Sequence, residues 1–258
     1  MSSNKNKSIS DSLEAREHLI PYMPYLLQDL WELGCSLEQI VDAVGTLNLS
    51  NTSCKILDLG CGKGAVAVNL ALNYGLNVVG IDAMPEFLQA AEQKAEEYGV
   101  SHLCQFREDD ILKFTSIEHN YDLVILASLG GIFGSLEKTI AKLRSQVKQG
   151  GYIIIDDGYL KNHTRLNRKL YEHYRDHKAT IKELTSFNDT LIDEIRTNEV
   201  NKRMNEEYLK VLNKRSNELT LQHPELKADL NEYIQLQREE CEVLDRELEG
   251  IIWILKKL

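Results

Sequence analysis

The sequence predicts a doubly wound α/β sheet with helical additions at both ends. Three observations carry that expectation. From Cys54 to about Asp156, short apolar runs bounded by turn residues alternate with helical patterns, as parallel strands with crossover helices require. The runs are nearly continuous rather than alternating, which suits strands covered on both faces. A glycine-rich segment sits where the first apolar run hands over to the first helical pattern, the place where folds of this class hold ligands.

The elements follow in order. Asp11 and Glu14 have the spacing of a capping box opening a short helix. Pro24 suits the first turn of a second helix carrying Tyr25, Leu26, Leu30 and Trp31, with Gly34 as its stop. Ser36 and Gln39 form another capping box before Ile40, Val41 and Val44. The strands are expected at Lys55–Leu59, Leu76–Ile81, Leu103–Arg107, Tyr121–Ala127 and Tyr152–Asp156. Helices are expected from the glycine loop to Tyr74, over Pro85–Tyr98 and over Leu136–Val147. Beyond Gly158, Thr190–Ile195 and Gly250–Leu255 read as strands. Between them, Met204 to Leu219 and Leu226 to Leu244 keep a three-four spacing on either side of Gln222-His223-Pro224, which predicts an antiparallel helical hairpin. The organisation expected is a helical cap (1–50), a sheet domain (51–198 with 247–258) and a hairpin insertion (199–246) serving as lid or dimer surface.

Composition narrows the function. The chain has 258 residues, with 30 Lys and Arg against 40 Asp and Glu, a net charge of −10. Such a field does not hold a protein on phosphate backbones or anionic lipid, so neither DNA nor a membrane is expected as partner. The excess lies before Tyr159, where 12 basic residues face 21 acidic ones. The five cysteines, Cys35, Cys54, Cys61, Cys104 and Cys241, are scattered without a CxxC pair, which favours a reducing compartment over a disulfide framework. No apolar run nears the roughly 20 residues of a membrane span, and the opening MSSNKNKSISDS lacks an apolar targeting stretch. A cytoplasmic protein is expected.

The most informative segment is Ile56-Leu57-Asp58-Leu59-Gly60-Cys61-Gly62-Lys63-Gly64. Its glycines permit a tight turn and close approach of a ligand to the backbone, and the helix that follows adds partial positive charge. Gly60, Gly62 and Ala65 also fit the spacing of dinucleotide sites. Two acids decide between ligands. Asp58 ends the strand before the loop, where a carboxylate repels a pyrophosphate and suits an ammonium group. Asp82 ends the second strand, where an acid accepts hydrogen bonds from both hydroxyls of a ribose. An amine, a glycine loop and a ribose together describe a nucleoside bearing an amino acid, and place a nicotinamide enzyme lower.

At these residues the sequence resembles the class I S-adenosylmethionine-dependent methyltransferases, whose first motif is an acid, any residue, then Gly-x-Gly-x-Gly. The resemblance runs from about Cys54 to Gly158. It implies a seven-stranded sheet with the last strand antiparallel, for which Gly250–Leu255 is the natural strand. It implies that S-adenosylmethionine is the cofactor and S-adenosylhomocysteine the product. It further implies that Asp58, Gly60, Gly62 and Gly64 border the methionine part, that Asp82 takes the ribose, and that Asp110 meets the adenine with Ile111 stacking nearby. Asp109 competes with Asp110 for that role. Ala127 and Ser128 stand where the family's backbone meets the ligand.

The acceptor is harder to read, because in-line methyl transfer asks the protein mainly for alignment and exclusion of water. The family's nucleic-acid amino-methyltransferases share an Asn/Asp-Pro-Pro-aromatic motif after the fourth strand, and this chain reads Ala127-Ser128-Leu129-Gly130-Gly131 there. A small-molecule acceptor is therefore favoured. Asp156, Asp157 and Tyr159, at the end of the fifth strand, are the candidates for catalysis; the alternative is a polar turn. Tyr22, Tyr25 and Trp31 could wall a pocket, although aromatics at helical spacing are commonly core. His173 and His177 are four apart on a predicted helix, but no third ligand accompanies them and their neighbours are charged, so no metal is expected. The competing functions are a non-catalytic S-adenosylmethionine-binding regulator or scaffold, and a methyltransferase of a protein or RNA partner.

Overall fold

The computed structural model describes residues 9–10, 13–47, 49, 53–162, 166, 168 and 171–258. Among these residues seven strands form one sheet: β1 (Lys55–Leu59), β2 (Asn77–Asp82), β3 (Cys104–Glu108), β4 (Tyr121–Ala127), β5 (Val147–Leu160), β6 (Thr190–Arg196) and β7 (Leu248–Lys256). Their order is β3-β2-β1-β4-β5-β7-β6, with β7 antiparallel to both neighbours and the other pairings parallel. The chain order reverses between β1 and β4, the switch point beside which ligands bind in doubly wound sheets.

The central strands are buried on both faces, which is why their sequences run apolar without alternation. On one face, α2 (Leu37–Thr46) and α3 (Ala65–Tyr74) pack against Ile56, Val78, Leu123, Ile125 and Ile154. On the other, Ile140 and Leu143 of α6 (Leu136–Arg144) and Leu184 of α7 (His177–Leu184) meet Leu57, Val124 and Trp253. Trp253 is fully buried, and its Nε1 donates to Glu194 at 3.0 Å, so the one donor of the buried indole is satisfied. The remaining crossover helix, α4 (Pro85–Glu97), begins at Pro85 and packs beside β3.

Three local expectations are corrected. The helix at Pro24 is a single turn, α1 (Met23–Leu26), because the backbone leaves the helix to place Leu27 and Leu30 carbonyls on Lys63. Ser36 precedes α2 without capping it: its hydroxyl donates instead to Asn201 at 3.0 Å and reaches Asp156. β5 starts at Val147 rather than Tyr152, carried through the glycine pair because Val147 already pairs with Tyr121. The box at Asp11 lies outside the described residues.

The hairpin consists of α8 (Asn198–Gln222) and α9 (Lys227–Glu247), turning at His223 and Pro224. Its apolar face is covered by the N-terminal segment of the same chain: Leu212, Leu219, Leu230 and Tyr233 share a core with Leu19, Met23, Leu26 and Leu27. Arg16 pairs with Asp229 and Glu232, and Arg215 with Asp29, around the rim of this contact. Cap and hairpin thus form one layer above the carboxyl ends of the strands.

Candidate active site

At the end of β1 the chain turns through Gly60 and Gly62, and α3 starts at Ala65. Gly60 has φ +70°, and a Cβ there would stand 2.4 Å from Leu129, so both conformation and space demand glycine. The loop amides are largely satisfied inside the protein. Gly60 and Cys61 both donate to the Ile81 carbonyl, Gly62 donates to Asp82 Oδ2 at 2.9 Å, and Gly64 to the Cys61 carbonyl. A pyrophosphate-binding loop needs those donors turned toward the ligand, so the geometry argues against a dinucleotide.

Asp82 accepts from Gly62 N–H through one oxygen and from Met84 N–H, at 2.8 Å, through the other. It therefore ties the glycine loop to the start of α4 and presents its carboxylate to the cavity beside it. Asp58 is 2% exposed, and its Oδ2 has no hydrogen-bond partner among the described residues. Burial, helped by the charge of Asp82, pushes its carboxyl up to about 7. Asp156 at the end of β5 is likewise pushed up to about 7 by burial, against the lowering effect of Ser36, whose N–H donates to it at 2.7 Å.

A cavity of about 770 Å³ runs from the glycine loop to the hairpin. Gly60, Gly62, Asp82, Asp110 and Ile111 line its loop end, and Ala127, Ser128 and Leu129 its middle. Ser128 adopts φ +56°, rare outside glycine; its N–H bonds to the Asp156 carbonyl and its hydroxyl donates to the Gly34 carbonyl at 2.6 Å. These bonds hold the turn after β4 open toward the cavity. Asp110 lines the wall and also caps the turn α5 (Ile111–Phe114) by accepting from Leu112 N–H, whereas Asp109 pairs with Lys113 and does not line it.

Several expected residues stand elsewhere. Gly64 packs against Ala91 and Phe106 behind the loop, where a Cβ would come within 2.9 Å of both, so it is a packing glycine. Asp58 is buried and does not line the cavity. Tyr159 does not line the cavity: its ring packs against His177 instead. Tyr22 and Tyr25 do not line it either. Tyr22 packs edge-on against His223, and the Tyr25 hydroxyl donates to Glu218, so both join cap to hairpin. Trp31 lines the cavity, its Nε1 bonded to the Lys63 carbonyl and its ring stacked on Tyr98. His177 begins a helix and pairs with Glu194, whereas His173 precedes that helix and faces Asp157, so the two do not share a helix face. Among the described residues no group of three His, Cys, Asp or Glu is placed to hold a metal.

The sequence reading missed two groups. Lys63, inside the glycine motif, is buried and donates to the carbonyls of Leu27 and Leu30 at 2.5 and 2.7 Å, pinning the cap to the loop; burial lowers its ammonium to about 8. Tyr171, Tyr174, Tyr208, Gln237 and Glu240 line the far end of the cavity. Tyr208 sat within a helical periodicity, but periodicity alone does not separate a side chain facing core from one facing a cavity.

The comparisons agree with this geometry. The profile of a family described as a methyltransferase domain matches residues 50–215, more than half of the chain. A malonyl-[acyl-carrier protein] O-methyltransferase of Priestia megaterium is 31% identical over 117 residues, 45% of this chain and 40% of that protein. A ubiquinone biosynthesis O-methyltransferase of Rickettsia felis is 30% identical over 119 residues, 46% of this chain and 47% of that one. The chain thus matches less than half the length of these curated relatives. The crystal structure of a SAM-dependent methyltransferase from Geobacter sulfurreducens, in complex with S-adenosyl-L-homocysteine, superposes with a TM-score of 0.77 at 16% identity, over 93% of this chain and 99% of that one. The chain belongs to the class I S-adenosylmethionine-dependent methyltransferases. Its residues fit that cofactor: a buried carboxylate oxygen without a partner lies under the loop, and the loop keeps its own amides occupied. Among the described residues no helix is long and apolar enough to cross a membrane.

Proposed function

We propose that the whole protein is a methyltransferase acting on a small molecule in the cytoplasm, with the cofactor at the glycine-loop end of the cavity and the acceptor at the hairpin end. The observation that carries this reading is the continuity of one cavity from Gly60 and Asp82 to Asp156 and Asp157. S-adenosylmethionine, when bound, supplies a sulfonium methyl group open to in-line displacement. The protein's own contribution is placement. In this reading Asp82 accepts from the ribose hydroxyls and Asp110 and Ile111 border the adenine. Asp58 supplies negative charge beneath the methionine ammonium, and Ala127 and Ser128 form the wall beside the reacting centre.

Asp156 and Asp157 are the candidates to take a proton from the acceptor. Asp156, with its carboxyl raised to about 7, is balanced between its two protonation states near neutrality, which suits a group that receives and releases a proton. Asp157 accepts from the Tyr174 hydroxyl at 2.5 Å and faces His173 Nε2 at 3.3 Å, so its carboxylate is held in one orientation. Tyr159, outside the cavity, has no role in this reading. The five free cysteines and the absence of a phosphate-seeking charge balance support the compartment and the acceptor class.

The test is incubation with methyl-labelled S-adenosylmethionine and three acceptor pools: small-molecule metabolites, total protein and total RNA. The expected result is label in the small-molecule pool, reduced at least tenfold by Asp156→Asn or Asp157→Asn, within the range for removing a positioned acid–base group. Label confined to protein or RNA would overturn the reading.

A further inference from the structure

The hairpin end of the cavity has a charge and hydrogen-bonding character that specifies more than size. Eleven of the cavity's lining side chains are carboxylates and two are lysines. One of those lysines, Lys161, donates to the Asp245 carbonyl. Three carboxylates on the acceptor side are largely withdrawn from water: Asp156, Asp157 and Glu240, the last two with side chains 12% and 22% exposed. Their nearest donors are mostly neutral. Asp156 is held by Ser36, Asp157 by the Tyr174 hydroxyl and His173, and Glu240 by the Tyr171 hydroxyl. Arg168 stands 3.8 Å from Glu240, but its guanidinium is forked onto Glu14. The rings of Tyr171, Tyr174 and Tyr208 border the same space. Carboxylates in low dielectric with aromatic faces beside them attract a cation and exclude an anion.

A second, independent feature lies among these rings. Gln237 is 4% exposed and lines the cavity. Its Oε1 accepts from the Tyr208 hydroxyl at 2.6 Å, which fixes the amide, and its Nε2 has no hydrogen-bond partner among the described residues. A buried amide N–H left without an acceptor is a cost that a ligand oxygen removes.

Resting on the methyltransferase reading above, we infer that the hairpin end of the cavity binds a protonated amine that also carries an uncharged oxygen, such as an amino alcohol. Asp157 and Glu240 take the ammonium, with the tyrosine rings around it, and the Gln237 amide takes the oxygen. Neutral phenols lack the charge, and carboxylates and phosphates carry the wrong one.

The test is isothermal titration of the full-length protein saturated with S-adenosylhomocysteine, using phenylethanolamine, phenethylamine, phenethyl alcohol and phenylacetate. The expected order is phenylethanolamine first and phenethylamine a few-fold weaker. Phenethyl alcohol should be at least about tenfold weaker than the amines, the scale of a lost charge-assisted hydrogen bond, with phenylacetate not binding. Glu240→Gln should lower the affinity for both amines about tenfold without changing that for the alcohol. Gln237→Met should abolish the preference for phenylethanolamine over phenethylamine. Should either variant fail to fold, the order measured on the unaltered protein decides by itself. Equal or tighter binding of the alcohol or the carboxylate would overturn the inference, and so would binding of none of the four. Failure of the unaltered protein to bind S-adenosylhomocysteine is the separate result that overturns the methyltransferase reading.

Discussion

Asp58 is a carboxyl group withdrawn from water, with one oxygen lacking a partner and its proton held up to about 7. An unfolded aspartate releases its proton near the ordinary 3.8. Between those values the folded protein binds more protons than the unfolded chain, so this group makes stability fall as pH rises from about 4 to 7. The ionised form costs on the order of a few kcal/mol when no ligand compensates it. Asp58→Asn should therefore melt above the unaltered protein at about pH 8 and converge with it near pH 4, followed by circular dichroism without ligand. The same substitution should weaken S-adenosylmethionine binding, because in the proposed site it removes the charge beneath the cofactor's amine. A melting difference equal at both pH values would contradict the account. The position of Asp58 before Gly60 marks it in the sequence as a candidate; its burial was not legible there, because a strand-end residue can face either the ligand or the loop's own interior.

At the scale of elements, the cap is tied to the glycine loop by Lys63. Its ammonium donates to the carbonyls of Leu27, which also accepts from Leu30 N–H, and of Leu30, both just beyond the short helix α1. Lys63→Met keeps the stem's volume but removes both of these charged hydrogen bonds, so a loss of about 1–3 kcal/mol is expected in denaturant unfolding. Faster amide exchange should concentrate in residues 23–31, which hydrogen–deuterium exchange with mass spectrometry would locate. Uniform destabilisation without that local change would mean the lysine serves the loop alone. The strands and crossover helices were legible because burial on both faces leaves unbroken apolar runs and the glycines mark their ends. The cap was less so. Pro24 and Gly34 correctly mark a start and a stop, but what shortens the helix is a lysine more than thirty residues away, and sequence spacing carries no sign of such a partner. Ser36 fails as a cap for the same reason: Asn201 and Asp156 claim its hydroxyl.

Over the whole molecule, cap and hairpin close one layer across the switch point of the sheet, and the cavity lies between that layer and the strand ends. Leu212 is fully buried at the centre of this contact. Leu212→Ala should cost about 2–5 kcal/mol, with the loss appearing in cap and hairpin together, since they share one core. Thermal unfolding that released the hairpin while the cap stayed protected from exchange would contradict a common layer. The loop end of the site was readable because its chemistry is local: one loop, one strand end after another. The hairpin end draws on β5, on the segment between β5 and α7 and on both hairpin helices, so only the fold brings Asp157, Tyr174, Tyr208, Gln237 and Glu240 to one space.

The most direct test of the account is isothermal titration of S-adenosylmethionine and S-adenosylhomocysteine into the unaltered protein and into Asp82→Ala. Asp82 braces the loop and faces the cavity, so the expected result is binding of both ligands by the unaltered protein and a loss of about 1–3 kcal/mol in the variant. No binding by the unaltered protein, or equal affinity in the variant, would contradict the cofactor site proposed for this chain.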